Sequence, residues 1–282
     1  MRCFITDSGY DLSSKVSLPY DLKIIPLRVY IGEQEYEDKQ NISAEKLYEN
    51  QLKGLVATTS LPKPEVIERT IRESAKNYEE VYIITISSKL SNTHDLIKNI
   101  VSSMNVKNVT VLDSKTACVK QGYVILRAME HVKNGNKLRQ EDIDRFVKES
   151  FLVFFVPTLE HLYRGGRIGK AKALIGKMLS LKPILTTDDE GEVSSVATTR
   201  SIDSGVNTMQ SLVNKFLETN NFEYDFTIIA AYTIETMKNH LEKLVQPYAK
   251  NVLDVTNIGP AISAHVGPEA FGLVVGKGVH FW

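Results

Sequence analysis

Val81-Tyr82-Ile83-Ile84-Thr85-Ile86 is a run of strand length that carries no charge and does not alternate with polar residues. A strand of that kind is buried on both faces, which requires helices above and below a parallel sheet. The flanking sequence supplies them. Residues 2–6 read as a first strand, closed by the turn Asp7-Ser8-Gly9. Pro62 suits the first turn of a helix whose apolar face (Val66, Ile67, Thr70, Ile71) runs on to Lys76. A helix over 93–104, a strand over 109–112 and a helix over 117–132 complete a βαβαβα alternation. That order predicts a doubly wound, mainly parallel α/β sheet with its ligand crevice at the carboxyl ends of the strands. Residues 24–31 and 32–36 predict a hairpin about Gly32. Ser43 predicts a helix N-cap without a capping box, because Lys46 stands three residues on.

Beyond the charged helix at 140–149 and the apolar run 151–157 the pattern changes. A glycine-rich bend at 162–169 leads into an amphipathic helix through Leu181, and 183–196 reads as a hairpin about Asp188-Asp189-Glu190-Gly191. Then follow a helix over 202–217, a strand over 226–232, a helix through Val245, and strands near 252–255 and 271–275. A chain of 282 residues exceeds a typical single core, so two α/β domains are expected, 1–157 and 158–282, with the ligand between them. No repeat or low-complexity linker separates them, which predicts a tight interface.

Charge excludes several classes. Lys+Arg and Asp+Glu both total 34, so no basic field recruits nucleic acid. The start, MRCFITDSGYDLSSK, lacks the apolar core of a signal peptide or a membrane span, and a cytoplasmic location is expected. Cys3 and Cys118 form neither a disulfide framework nor a zinc motif, and Cys118 reads as a buried structural thiol at a helix start. The six histidines show no metal-binding spacing, so no metal is expected. Arg164-Gly165-Gly166-Arg167-Ile168-Gly169-Lys170 lacks phosphate-loop spacing, and no GxGxxG follows the first strand, so no nucleotide cofactor is expected.

Three hydroxyl-rich stretches remain, each after an apolar one: Thr58-Thr59-Ser60-Leu61-Pro62, Ser87-Ser88-Lys89-Leu90-Ser91-Asn92-Thr93, and Ser263-Ala264-His265-Val266-Gly267-Pro268. The first two are expected as loops opening helices, where backbone N–H groups favour an anion. Together with His265 they suggest a carboxylate or phosphate pocket built from neutral donors, which favours binding over catalysis. Other roles stay open: Thr59-Ser60 as a helix cap, His265 as a packing residue at a strand end, Asp7 and Asp113 as turn formers. A serine hydrolase using Ser91 and His265 with Asp113 or Asp7 is the alternative, although no GxSxG elbow is present. A small-molecule sensor is the third class.

Asp7-Ser8, Thr59-Ser60-x-Pro62, Ser88-x-Leu90-Ser91-x-Thr93, Asp113-Ser114, Gly165-Gly166-Arg167-Ile168, Arg200 and His265-x-Gly267-Pro268-x-Ala270-x-Gly272 stand in the order seen in the DegV family, which the chain resembles along nearly its whole length. The resemblance implies a two-domain, cytoplasmic, bacterial lipid binder that serves as the fatty-acid-binding subunit of a fatty acid kinase. Such a chain holds one long-chain fatty acid, presents its carboxylate to a separate ATP-dependent kinase subunit, and carries the acyl phosphate, without catalysis of its own and without a cofactor. It implies carboxylate contacts from Thr59, Ser60, Ser91 and His265, with Asn92 adding donors. Arg167 and Arg200 match basic positions, with docking of the kinase or domain contacts as their roles. The chain departs from common family residues at Leu61, Asn92 and Glu269, the last placing a negative charge beside the expected anion site.

Overall fold

The computed structural model describes residues 1–177 and 181–281. The chain begins with β1 (Arg2–Asp7), β2 (Asp21–Ile25), β3 (Arg28–Ile31), β4 (Gln34–Glu37), α1 (Ala44–Leu52) and β5 (Ala57–Ser60). It continues through α2 (Pro64–Asn77), β6 (Glu80–Thr85), α3 (Thr93–Met104), β7 (Val109–Asp113), α4 (Cys118–Lys133) and α5 (Gln140–Lys148). Strands β2, β1, β6 and β7 lie side by side in that order and are parallel throughout. The apolar run is buried on both faces. Val81 and Ile83 join Cys3 and Ile5 against Ile67 and Ile71 of α2 and Ile97 of α3, while Tyr82 and Ile84 join Phe4 against Val119, Tyr123 and Val124 of α4.

The expected hairpin over 24–36 starts later than its sequence pattern suggests. Pro26 has no N–H for a ladder, so the run divides there. Its first part ends β2 in the parallel sheet, and its second part, β3, turns back through Gly32 at φ 59 to pair with β4. Strand β5 pairs with the other edge of β3, which places Thr59 and Ser60 inside a three-stranded antiparallel sheet. They are not in a loop opening a helix. Pro64, not Pro62, takes the first helical position of α2. Ser43 caps α1 by accepting from the N–H of Lys46.

The second half adds β8 (Ser150–Phe155), α6 (Glu160–Arg164), a 3-10 helix (Gly169–Lys177), β9 (Lys182–Thr187), β10 (Val193–Thr199), α7 (Ile202–Asn220) and β11 (Phe226–Tyr232). After these come α8 (Glu235–Val245), a second 3-10 turn (Gln246–Asn251), β12 (Val252–Asn257), α9 (Pro260–Val266) and β13 (Phe271–Lys277). The amphipathic helix expected through Leu181 is the 3-10 helix as far as Lys177, and 178–180 lie outside the described residues. Six strands form one mixed sheet, β10-β9-β8-β13-β11-β12. Strand β8 falls before the boundary expected at 157, yet pairs with β13 and β9. The division between sheets therefore precedes Ser150.

The two halves meet at α9. The stretch around His265 is neither a loop nor a strand end but this short helix, started by Pro260 after Gly259 and stopped by Gly267 at φ 85. Its amino end is held by the N-terminal half. Asp11 accepts from the N–H of Gly259 at 3.1 Å, and Asp38 accepts from that of Ala261 at 3.3 Å. Lys39, in a left-handed conformation at φ 62, donates to Asp11 at 2.8 Å and to the Tyr10 carbonyl. From α1, Tyr48 donates to the Ile258 carbonyl and Gln51 to that of Ser263 at 2.9 Å. A Cβ at Gly259 would stand 2.7 Å from the Lys39 side chain and 2.8 Å from the Asp11 carboxylate, so a larger residue there would displace the two side chains that hold this joint.

Burial pushes the Asp38 carboxyl up to about 6, against the pull of Lys39. The folded chain then binds a proton that the unfolded chain, with a carboxyl near 3.9, has released. The resulting stability is complete below about pH 4 and is lost as the pH rises through about 6. Asp38→Asn keeps an acceptor for Ala261 but cannot titrate. Thermal unfolding should show the parent losing stability relative to this variant between pH 4 and pH 6, whereas parallel curves would remove Asp38 as the source.

Candidate functional site

Between the six-stranded sheet and the N-terminal half lies a cavity of about 280 Å³. Its walls are mostly apolar: Leu27, Ile86 and the first turn of α4 on one side, and Leu152, Phe154, Ala231 and Gly272 of the sheet on the other. Thr59, Ser60, Ser91, Asn92, Arg167 and His265 also line it. Asn92 is exposed, so the cavity reaches solvent where it stands.

Strand β5 and helix α9 place the first pair. Thr59 Oγ1 lies 2.8 Å from His265 Nε2. The other ring nitrogen, Nδ1, is buried without a partner and faces Gly165, where any side chain would overlap it. A bare lone pair is better tolerated in such a position than an unsatisfied N–H. This assigns the proton to Nε2, which donates to Thr59 and leaves the threonine hydroxyl hydrogen free for a ligand. Burial, and next the Arg167 guanidinium, push the imidazole down to about 4, so the ring is neutral at physiological pH.

Ser60 accepts from Arg28 Nη2 at 2.9 Å, which likewise leaves its own O–H to donate. Ser91 sits at the end of the turn that leads into α3; its Oγ lies 2.8 Å from Thr93 Oγ1 and accepts weakly from the Thr93 N–H at 3.3 Å. Asn92 occupies the N-cap position of α3 without a side-chain cap bond, so its amide is uncommitted.

Arg167, expected apart from the hydroxyl cluster, lines the same cavity. Its Nε donates to the Leu90 carbonyl at 2.9 Å and its Nη1 to that of Gly165. Among the described residues no carboxylate pairs with it, and it is the one charged residue lining the cavity. Arg200 is elsewhere, exposed in the turn between β10 and α7, and makes no ion pair among the described residues. Glu269 is also exposed and does not line the cavity, so this departure brings no negative charge into it.

Cys118, read as a structural thiol, also lines the cavity. It starts α4 at φ 56, and burial, then Asp11, push its thiol well up, which leaves it an apolar wall rather than a nucleophile. The two acids proposed for a hydrolase are committed to loops. Asp7 accepts from the N–H groups of Gly9 and Ile86, and Asp113 from those of Ser88 and Lys115 and from the Ser88 hydroxyl. His265 meets Thr59 rather than Ser91 and has no acid on Nδ1, so the base and orienting group of a triad are not assembled. Among the described residues no cluster of three or more His, Cys, Asp or Glu side chains is placed to hold a metal ion, and no helix is long and apolar enough to cross a membrane.

A family model for DegV, a family of uncharacterised proteins, matches residues 4–277. A DegV domain-containing protein of Clostridium perfringens is 30% identical over 277 residues, spanning 97% of each chain, and one from Staphylococcus aureus is 30% identical over 98% of this chain and 99% of its own. Among solved structures, the fatty-acid-binding DegV family protein of Thermus thermophilus superposes with a TM-score of 0.86 at 27% identity, covering 98% of this chain and 99% of that one. DegV of Bacillus subtilis, a fatty acid binding protein, gives 0.84 at 25% identity over 98% and 99%. The chain belongs to the DegV family.

If the electrostatics of the cavity are as described, the His265 ring should remain neutral until the pH falls to about 4. Replacing Arg167 with Met should then raise its midpoint. NMR of the ring carbon resonances reads both. An ordinary midpoint near 6.5, unmoved in Arg167→Met, would contradict them.

Proposed function

We propose that the chain binds one long-chain fatty acid, with the acyl tail in the apolar cavity and the carboxylate at the end formed by Thr59, Ser60, Ser91, Asn92, Arg167 and His265. The observation that carries this reading is Arg167: a cation at an apolar cavity, held by two carbonyls, without a carboxylate partner among the described residues, and surrounded by neutral donors. An anion with a long apolar tail satisfies both parts. A hydrogen bond to a charged partner is worth roughly 1.5–3 kcal/mol, and each buried methylene adds about 0.8 kcal/mol. Over a long chain the tail outweighs any single head-group contact and can exceed an association cost of roughly 4–15 kcal/mol. The fatty-acid-binding relatives support the same ligand class.

The carboxylate end lies near the exposed Asn92, where a partner can reach it. A separate ATP-dependent kinase would phosphorylate the carboxylate there, and this chain would then carry the acyl phosphate. Arg200, exposed and unpaired among the described residues, is a docking position for that subunit; Arg167 belongs with the head group instead. Delipidated protein should take up about one fatty acid per chain and gain thermal stability as it does so. Ser91→Ala should weaken that binding by about 1–3 kcal/mol. Acyl phosphate should form only when kinase and ATP are added, more slowly with Arg200→Glu at unchanged fatty acid affinity. Failure to rebind any fatty acid would sink the reading, and ester hydrolysis lost specifically in Ser91→Ala would replace it with the hydrolase.

A further inference from the structure

The sheet wall of the cavity changes abruptly along its strands. Phe154 of β8, Gly272 of β13 and Ala231 of β11 are direct neighbours across the sheet, and all three line the cavity. Side chains two residues apart on a strand share a face. The next row on this face is therefore Leu152, Val274 and Ile229, again in direct register. Leu152 still lines the cavity; Val274 and Ile229 do not. Both are fully buried, in the cluster that includes Val124 and Ala128 of α4. One row further on, Gly276 receives the Tyr123 ring, which a side chain there would overlap. Helix α4 thus stands clear of the sheet at its first turn, where Cys118 and Val119 line the cavity, and is packed onto it by its second.

We propose that Val274 and Ile229 are the end wall of the acyl cavity and set the longest chain it accepts, with Ala231 marking the last open position before the wall; this rests on the fatty acid reading of the site. The small residues at 231 and 272 are what keep the trough open. Gly272 cannot be enlarged, because a Cβ would stand 2.5 Å from that of Phe154 and 2.6 Å from the Val153 carbonyl oxygen. Ala231 can be. A larger side chain there fills the trough short of the wall, whereas truncation of Val274 or Ile229 moves the wall back. Neither change touches the head-group donors.

The test is the order of preference among saturated fatty acids of increasing length, measured by competition and native mass spectrometry on the delipidated full chain. Ala231→Val should move the preferred length down by one or two carbons and Val274→Ala should move it up by a similar amount. Each methylene that loses or gains its place should change relative affinity about fourfold. If Ala231→Val does not fold, Val274→Ala and the milder Ile229→Val decide the matter, since both only remove atoms. A parent that binds fatty acids, with an unchanged length order in the folded variants, overturns the end wall alone. A parent that takes up no fatty acid of any length overturns the proposed function and the end wall with it.

Discussion

The seating of α9 is the contact on which the rest of the molecule depends. This helix comes from the C-terminal half, yet the N–H groups of Gly259 and Ala261 at its amino end, the Ile258 carbonyl before it and the Ser263 carbonyl within it are bonded by Asp11, Asp38, Tyr48 and Gln51 of the N-terminal half. Helix ends leave such groups unpaired, and burying them without partners is costly. Two carboxylates at one point would repel, and Lys39 between them offsets that: burial opposes its charge, but Asp11 and Asp38 hold it protonated. Because the helix is fixed at its amino end, its last turn delivers His265 to Thr59. The cavity is enclosed by the same contact, since Ala261, Ile262 and Val266 of α9 form part of its wall.

In the proposed function the arrangement separates two tasks physically. Affinity would come from the apolar walls, where each methylene contributes a similar amount whatever its position. Orientation would come from one end, where Arg167 and several neutral donors line the cavity. A neutral imidazole suits that end better than a charged one. It relays a hydrogen bond through Thr59 without adding a second cation beside Arg167, which would cost desolvation and repulsion together.

Much of this was legible in the sequence, and the losses have identifiable causes. The unbroken apolar run at β6 announced a parallel sheet covered on both faces, and the alternation around it gave the order of the first half. Pro26 carried the signal that splits β2 from β3, but a strand that leaves one sheet for another looks locally like one continuous strand. Gly259-Pro260 and Gly267-Pro268 are start and stop signals for α9, and reading them as a pair would have identified the helix. Thr59, Ser60, Ser91 and His265 line one cavity, and they stand out in the sequence as a group because neutral donors have a recognisable chemistry. Arg167 is expected apart from them yet lines the same cavity, because nothing local distinguishes an arginine turned inward from one on the surface. The small residues that line the cavity on its sheet side, Ala231 and Gly272, are informative only once the strand register puts them side by side.

The proposed function requires an ionised carboxylate held at the His265 end of the cavity. Carbon-13 NMR of the delipidated protein loaded with a fatty acid labelled at its carboxyl carbon observes that group directly. One bound resonance is expected, unchanged between pH 5 and pH 8 because Arg167 and the neutral donors favour the charged form, and displaced in Thr59→Val and in Ser91→Ala. A resonance that titrates in that range, or that is the same in the parent and both variants, would mean that the carboxylate lies elsewhere.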